Sequence, residues 1–291
     1  MAWHNARDVD RREAFLLSPL RGLAEWRGHV VHLALENYFV PSLKQRKMLS
    51  REALEAETLQ LAERQFLYSQ RGDYKREEAD KQDPNYLALR EHEYGIAIRD
   101  EQIEEIRQQI RRCYDYLYSQ TRFLDFLQHA NWYSSEPRLD FYFEGQKIVA
   151  KLDLVVGYSN SKLCIIDWKI GESQTSDYSR QLQLYAMVAL KKWASYKIGD
   201  LVLVEANLLQ GEIIKHPIDD DGLLEIEDFI YCSLSEISAL TGNRPYNEQD
   251  LGDYEYANSS DTCHFCKFER LCVRLSNDEA HHEPFSNGRL F

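Results

Sequence analysis

A chain of 291 residues, 44% hydrophobic and with a mean hydropathy of -0.55, has apolar material for one large core or two modest ones, and no run long enough to span a bilayer. Its 35 Lys and Arg against 48 Asp and Glu leave a net charge of -13, which argues against a simple electrostatic binder of nucleic acid, since such domains usually present net positive charge. No apolar signal segment follows Met1, so the expected location is cytoplasmic, and the six cysteines read as ligands or core residues rather than disulfides.

The first twelve residues are polar and offer no strand or helix cap, an abrupt start that suggests a longer natural N-terminus. Residues 13–39 read as helical, with Gly28 opening the helix that carries His32 and Glu36 one turn apart on one face. Imidazole and carboxylate both suit Mn²⁺, although a histidine on an apolar helix is more often a core residue. Lys44, Arg46, Lys47 and Arg51 form a basic stripe that would fit phosphates or simply face solvent. Residues 49–130 are rich in Glu, Arg, Gln, Leu and Tyr, with Ile103, Ile106, Ile110, Tyr114 and Leu117 at helical spacing. They predict long amphipathic helices, hairpinned near Gly72 or Asp83-Pro84, that form an insertion serving as a lid or a brace.

Four apolar runs at 139–143, 148–156, 163–168 and 201–209 predict a sheet, with turns at Glu144-Gly145 and at 157–162. Period two puts Leu163, Ile165, Asp167 and Lys169 on one face and Cys164, Ile166 and Trp168 on the other, so Cys164 reads as a buried structural thiol. The turn at 157–162 folds Asp153 back beside Asp167. Two adjacent carboxylates repel unless a cation lies between them, and hard oxygen donors suit Mg²⁺ or Mn²⁺. Lys169 would then serve an attacking water or charge growing on a phosphate. Taken alone, Asp-Trp-Lys also fits an ordinary surface ion pair.

Gly171 ends this strand, and Ser176-Asp177 offers a cap for a helix in which Gln181, Leu184, Tyr185 and Val188 recur at helical spacing. A core stripe would prefer an apolar residue at Gln181, so Gln181 and Tyr185 read as supports for substrate or water. Lys191, Lys192 and Lys197 form a second basic group beyond them. A short edge strand is expected at 211–217, a helix at 221–240 and a loop at 247–261. Cys263-His264-Phe265-Cys266 followed by Cys272 is a C-x₂-C-x₅-C run that reads as a clip for Zn²⁺ or an iron–sulfur cluster.

Together, His32 after Gly28, Asp153, the Asp167-Trp168-Lys169 triplet and Gln181-Leu182-Gln183-Leu184-Tyr185 resemble the PD-(D/E)XK nucleases of the RecB-like branch. The resemblance covers the start of the chain, roughly residues 130–210, and the cysteine region. It implies that His32, Asp153, Asp167 and the main-chain carbonyl of Trp168 hold the metal, that Lys169 is the catalytic lysine, and that Gln181 and Tyr185 assist. The cysteine run is similar to that of the iron–sulfur subgroup, which includes AddB-type and CRISPR-adaptation exonucleases. There a fourth cysteine before the histidine motif completes a [4Fe–4S] cluster. Here no cysteine precedes His32, the first being Cys113, so the fourth ligand falls to Cys232, His264, His281 or His282, to a missing N-terminus, or to a zinc site instead.

The resulting expectation is an α/β fold: a restriction-endonuclease-like mixed sheet flanked by helices within one nuclease domain, residues 1–291. It would carry a helical insertion at 49–130, the catalytic sheet and helix at 130–210, and a cysteine metal clip at 258–276. The implied activity is Mg²⁺- or Mn²⁺-dependent hydrolysis of DNA, as an exonuclease on single strands or ends, in repair, recombination or defence. DNA and a helicase or other repair or defence protein are the expected partners, and no membrane is. Two other classes fit parts of the sequence: an inactive nuclease-like module that binds DNA or a helicase, and a structural or redox metalloprotein built on the cysteines.

Overall fold

Residues 163–168 are apolar on both faces apart from Asp167, the composition of a strand covered on both sides. In the computed structural model, which describes residues 9–171, 178–245, 248–249, 254, 257 and 260–280, these six residues are all buried within β5, Lys162–Lys169. β5 is central in a five-stranded mixed sheet. Leu154–Tyr158 (β4) pairs with it antiparallel, and Leu201–Asn207 (β6) lies parallel on its other side. Trp132–Ser135 (β1) and Glu212–His216 (β7) are antiparallel edges on β4 and β6. The turn from β4 to β5 is a 3-10 segment, Ser159–Ser161, with Ser159 at φ 42°.

The expected single strand at 148–156 is two strands. Gln146–Lys151 (β3) pairs with Arg138–Phe143 (β2) in a separate two-stranded sheet, turning at Glu144 and Gly145, both at positive φ. The chain bends at Leu152-Asp153, opposite Glu136 at φ 48°, while the antiparallel register of β2 with β3 carries on through the bend into that of β1 with β4. The Leu152 N–H donates to the Pro137 carbonyl at 3.2 Å, and the Asp153 carbonyl accepts the Glu136 N–H at 2.9 Å. β1 had no sequence signal, since Tyr133-Ser134-Ser135 does not alternate. The edge strand and the helix expected after it are present as β7 and α9, Asp220–Thr241.

The crossover between β5 and β6 contains α8, Tyr178–Lys192. Its Leu182, Tyr185, Ala186, Met187, Val188 and Ala189 pack on the sheet face made by Leu163, Ile165, Leu201 and Leu203. Ile226 and Ile230 of α9 and Leu139 and Phe141 of β2 close the same core. Burying each such side chain contributes about 1.5–3 kcal/mol, and this packing holds the end of β5 against the first turns of α8.

The N-terminal region is two helices, α1 (Val9–Leu17) and α2 (Leu23–Ala34), parted at Ser18-Pro19 where proline cannot continue the ladder. Gly28 therefore lies inside α2 and does not open it. A single π turn, Leu35–Phe39, and α3, Val40–Lys44, follow. α4 (Arg51–Gln70) stops near Gly72 at φ 71°, as expected, and α5 (Arg90–Tyr94) is short. In α6 (Asp100–Ser119) Ile106, Ile110, Tyr114 and Leu117 are buried and Ile103 half-buried. The Tyr114 hydroxyl lies 2.7 Å from Thr58 Oγ1 of α4. α7 is Thr121–Gln128.

The chain packs as two compact units. One is Arg27–Ala62 with Arg99–Asn243 and contains the sheet; the other is Met1–Trp26, Glu63–Ile98 and Arg244–Phe291. Residues 49–130 are thus divided between them. In the second unit α10 (Ser260–Phe265) and α11 (Glu269–Ala280) follow the sheet domain in sequence. Its core joins Leu17, Leu20, Tyr74, Tyr86, Ala88 and Leu271. Glu93 accepts from Tyr74 at 2.6 Å and pairs with Lys75 at 2.8 Å and Arg270 at 2.9 Å. Among the described residues no helix is long and apolar enough to cross a membrane.

Candidate active site

The antiparallel register of β4 and β5 sets Leu154 opposite Ile166, so one step further along the ladder Asp153 faces Asp167. The tie is direct: Asp153 Oδ2 accepts the Trp168 N–H at 2.8 Å. His32, on α2 in the same unit, brings Nδ1 to 3.6 Å from that oxygen. Asp167 is 2% exposed and its Oδ2 lies 2.6 Å from Lys169 Nζ. Aspartate and lysine are two apart in the strand and share a face, as period two requires.

α8 completes the arrangement through one amide. Gln181 Oε1 accepts from Lys169 Nζ at 2.8 Å, and Gln181 Nε2 donates to the Tyr185 hydroxyl at 2.6 Å and to Asp167 Oδ1 at 3.4 Å. Lys169 Nζ also lies 4.2 Å from the centroid of the Tyr178 ring, at the start of the helix. The structure therefore gathers His32, Asp153, Asp167, Lys169, Gln181 and Tyr185. The Trp168 ring points to the opposite face, edge-on to Phe123 with centroids 6.1 Å apart. Ser176 and Asp177, the expected cap, lie outside the described residues.

Two participants were not among the residues singled out from the sequence. Glu136, between β1 and β2, places a carboxylate oxygen so that donors from His32, Glu136 and Asp153 all fall within 4.8 Å of one another. Arg27, buried one turn before Val31 on α2, donates from Nη2 to the Ile170 carbonyl at 2.8 Å and from Nη1 to Gln109 at 2.6 Å. The neighbouring carbonyls are held too: Lys169 O by the Leu208 N–H at 2.9 Å, and Gly171 O by Asn207 Nδ2 at 3.3 Å. The exit from β5 is fixed at three successive residues. Counting back from the turn at Glu144-Gly145 sets Glu136 opposite Asp153, a local signal that could have found it, whereas Arg27 stands within an ordinary helix and only tertiary contact shows its place.

Electrostatics follow from this crowding. Burial, and next the Asp153 charge, push the Asp167 carboxyl up to about 6, with Lys169 and His32 offsetting part of the rise. Burial works against protonating His32, yet the hydrogen bond and charge of Asp153, with Asp167 and Glu136, carry it above the ordinary imidazole value. Glu36 is raised by burial and then by Glu136. Tyr185 is pushed up to about 12, burial first and the same carboxylates adding to it, so its hydroxyl stays protonated as a donor or acceptor. An imidazole and several carboxylates that repel one another form a donor set fitting Mg²⁺ or, with nitrogen included, Mn²⁺.

Two of the four residues of the expected basic stripe are engaged elsewhere, while Lys44 and Lys47 are exposed. Arg46 donates to the Gln128 and Ala130 carbonyls, and Arg51 pairs with Asp115 and Glu55, so these two hold helices in place instead of presenting a row of cations. Lys191 lies over the Phe141 ring, 4.6 Å from its centroid. Cys113 and Cys164 are buried, and burial pushes both thiols up to about 12, in keeping with structural thiols.

Cys263 and Cys272 are exposed and Cys266 half-buried. Among the described residues His32, Glu136 and Asp153 alone form a group of three donors within 4.8 Å, while burial, and next the charges of Cys266 and Cys263, raise the Cys272 thiol. The His264 ring packs on Phe265 with centroids 5.0 Å apart, Cys232 is exposed on α9, and His281 and His282 lie outside the described residues.

The family model described as the PD-(D/E)XK nuclease superfamily matches residues 3–273. Among solved structures, similarity is found to a protein from Eubacterium rectale provisionally described as an exonuclease, at 13% identity over 81% of this chain and 95% of that one, with a TM-score of 0.36. It is also found to SSO0001, at 15% identity over 64% of this chain and 92% of that one, with a TM-score of 0.25. No curated protein matches.

Proposed function

The chain belongs to the PD-(D/E)XK nuclease superfamily, and on that premise we propose that it is a metal-dependent deoxyribonuclease that hydrolyses phosphodiester bonds, acting as an exonuclease on single strands or DNA ends. The observation that carries this reading is the convergence of Asp153, Asp167 and Lys169, with Gln181 bridging Lys169 to Asp167. A buried ion pair alone would need no third group spanning both partners.

In this reading His32, Asp153, Asp167 and the Trp168 carbonyl hold Mg²⁺ or Mn²⁺. The ion, when bound, supplies positive charge to the scissile phosphate and makes a water more acidic. Lys169 is held by Asp167 and Gln181 on the same face, where its ammonium can neutralise charge on a phosphate oxygen or orient a water. Tyr185 fixes the Gln181 amide, so Gln181 and Tyr185 act on the reaction through Lys169. Arg27 and Asn207 keep the strand end from shifting, which matters because an error of about 1 Å can cost about 10²-fold in rate.

Cleavage of end-labelled single- and double-stranded oligonucleotides with Mn²⁺, labelled at either end, tests the proposal. The wild type is expected to cut, and Asp167→Ala to lose cleavage with its fold intact. Full activity of Asp167→Ala would overturn the assignment.

Finer features belong to the same proposal: a cytoplasmic role in repair, recombination or defence, beside a helicase-type partner, and a soft metal at Cys263, Cys266 and Cys272. The Phe268 N–H directed at Cys266 Sγ at 3.4 Å supports the last, because such donors stabilise a thiolate. Metal analysis of anaerobically purified protein, with its visible spectrum, decides among cluster, zinc and neither.

A further inference from the structure

We propose that Glu136 is itself a ligand of the active-site cation and that Lys151 is the counter-ion the cation displaces. This deepens the metal-centre reading above and rests on it.

The backbone delivers Glu136 to the site. Its φ of 48° lies in the left-handed region, which favours glycine or asparagine. The turn is kept by the Glu136 N–H on the Asp153 carbonyl and by the Leu152 N–H on the Pro137 carbonyl, at 2.9 and 3.2 Å. The two bonds join the β1–β2 connection to the β3–β4 connection. The carboxylates of Glu136 and Asp153 are thus presented side by side, both within ligand reach of His32.

The ion pairs at the site differ in how easily they can open. Asp167 is paired with Lys169, whose ammonium is also bound to Gln181 and whose side chain is 16% exposed. Glu136 is paired with Lys151, whose side chain is 65% exposed while that of Glu136 is 11% exposed. A long, solvated lysine can swing into water at little cost. The sheltered carboxylate it leaves needs a replacement cation. A divalent ion seated among His32, Glu136 and Asp153 supplies one without any backbone movement. With Asp167 and the Trp168 carbonyl of the reading above, these donors number five and leave one position of an octahedral Mg²⁺ or Mn²⁺ for a water or a phosphate oxygen.

Calorimetric titration of the full chain with Mn²⁺ tests this without measuring activity. Glu136→Gln keeps the shape of the side chain and removes its charge, while Lys151→Met removes the competing ammonium. Loss of even an outer-shell partner weakens metal binding by about 10- to 100-fold, so Glu136→Gln is expected to weaken Mn²⁺ by at least about tenfold, with circular dichroism unchanged. Lys151→Met is expected to tighten it, and the double variant to follow Glu136→Gln. If the wild type binds Mn²⁺ and Glu136→Gln binds it equally well, the ligand role is overturned. If Lys151→Met binds no more tightly than the wild type, the exchange is overturned. A wild type that binds no Mn²⁺ takes down the metal-centre reading, and this inference with it.

Discussion

Asp153 and Trp168 are joined by a 2.8 Å hydrogen bond from the Trp168 amide to the Asp153 carboxylate, which fastens the acid before β4 to the strand that carries the other acid. An asparagine can accept the same N–H, so the substitution separates the structural tie from the charge. Asp153→Asn is expected to lower cleavage by about 10²- to 10³-fold, the cost of losing one electrostatic group at a reacting centre. Its unfolding midpoint should stay within about 4 °C of the wild type. Paired cleavage and thermal-unfolding measurements check both halves. Collapse of the fold would mean the carboxylate is mainly structural.

Gln181 touches Lys169, Asp167 and Tyr185 and, in this reading, acts through them. Gln181→Ala should reduce turnover by about 10- to 100-fold with little change in KM, since orientation and not binding is lost. Tyr185→Phe should cost less, because it removes one partner of the amide and leaves the two that matter. The double variant should be no worse than Gln181→Ala alone, the non-additivity expected of residues in one network. Steady-state kinetics on a labelled oligonucleotide reads all three.

Asp167 sets the dependence of stability on pH. An acid raised to about 6 binds its proton more tightly when folded, so its charged form costs stability above that value and nothing below the unfolded one. Without divalent ions, the wild type should lose roughly 2–3 kcal/mol relative to Asp167→Asn as pH rises from about 4 to about 7. His32 works in the same direction at higher pH, because the stability of its raised imidazolium is lost as pH climbs through its folded value. Mn²⁺ must displace these protons, so its affinity should rise over the same interval. Urea unfolding across pH, with and without Mn²⁺, measures each part; a flat difference curve would refute the crowding argument.

Asp153, Asp167, Lys169, Gln181 and Tyr185 were legible because strand period two and helix spacing i, i+4 are local rules, and each residue stands where its element ends or turns toward the site. Arg27 was not, since its role arises from an approach across 143 residues of sequence, to Ile170. Glu136 could have been found by counting back from the Glu144-Gly145 turn, which sets it opposite Asp153. The split of 148–156 has a different cause: no Gly or Pro marks it within the segment, and the bend comes from the partner strand, where Glu136 takes a positive φ. The three-thiol spacing near the C-terminus was equally plain, but spacing along the chain does not name a fourth ligand.

Glu93 gives the second unit a separate test. Lys75, Tyr74 and Arg270 all bond its largely buried carboxylate, and together they outweigh burial to hold it below the usual glutamate value. Glu93→Ala leaves the sheltered Tyr74 hydroxyl without its acceptor, while the half-exposed Lys75 and Arg270 can return to water. The loss should therefore be about 1–2 kcal/mol. Hydrogen exchange should quicken in α5 and α11 while the β5 amides stay protected. Uniform quickening through the sheet would show that the two units do not unfold separately.

Gly157 tests the edge of the sheet. It pairs with Trp132 across β4 and β1, and a Cβ added there would sit 2.0 Å from Trp132 Nε1 and 2.3 Å from Cε2. The indole therefore lies against the glycine, and it meets Trp193 beyond α8 with ring centroids 5.8 Å apart and planes tilted by 43°. Gly157 has no positive φ, so its backbone would tolerate alanine and the conflict is purely steric. Relief requires Trp132 to move away, and overpacking of this kind costs about 1–3 kcal/mol. Gly157→Ala should fall in that range, and pairing it with Trp132→Ala should restore part of the loss because the clash is gone. Chemical unfolding of the two single variants and the double variant gives the coupling. Additive losses would show that the tryptophan is not what reserves this position for glycine.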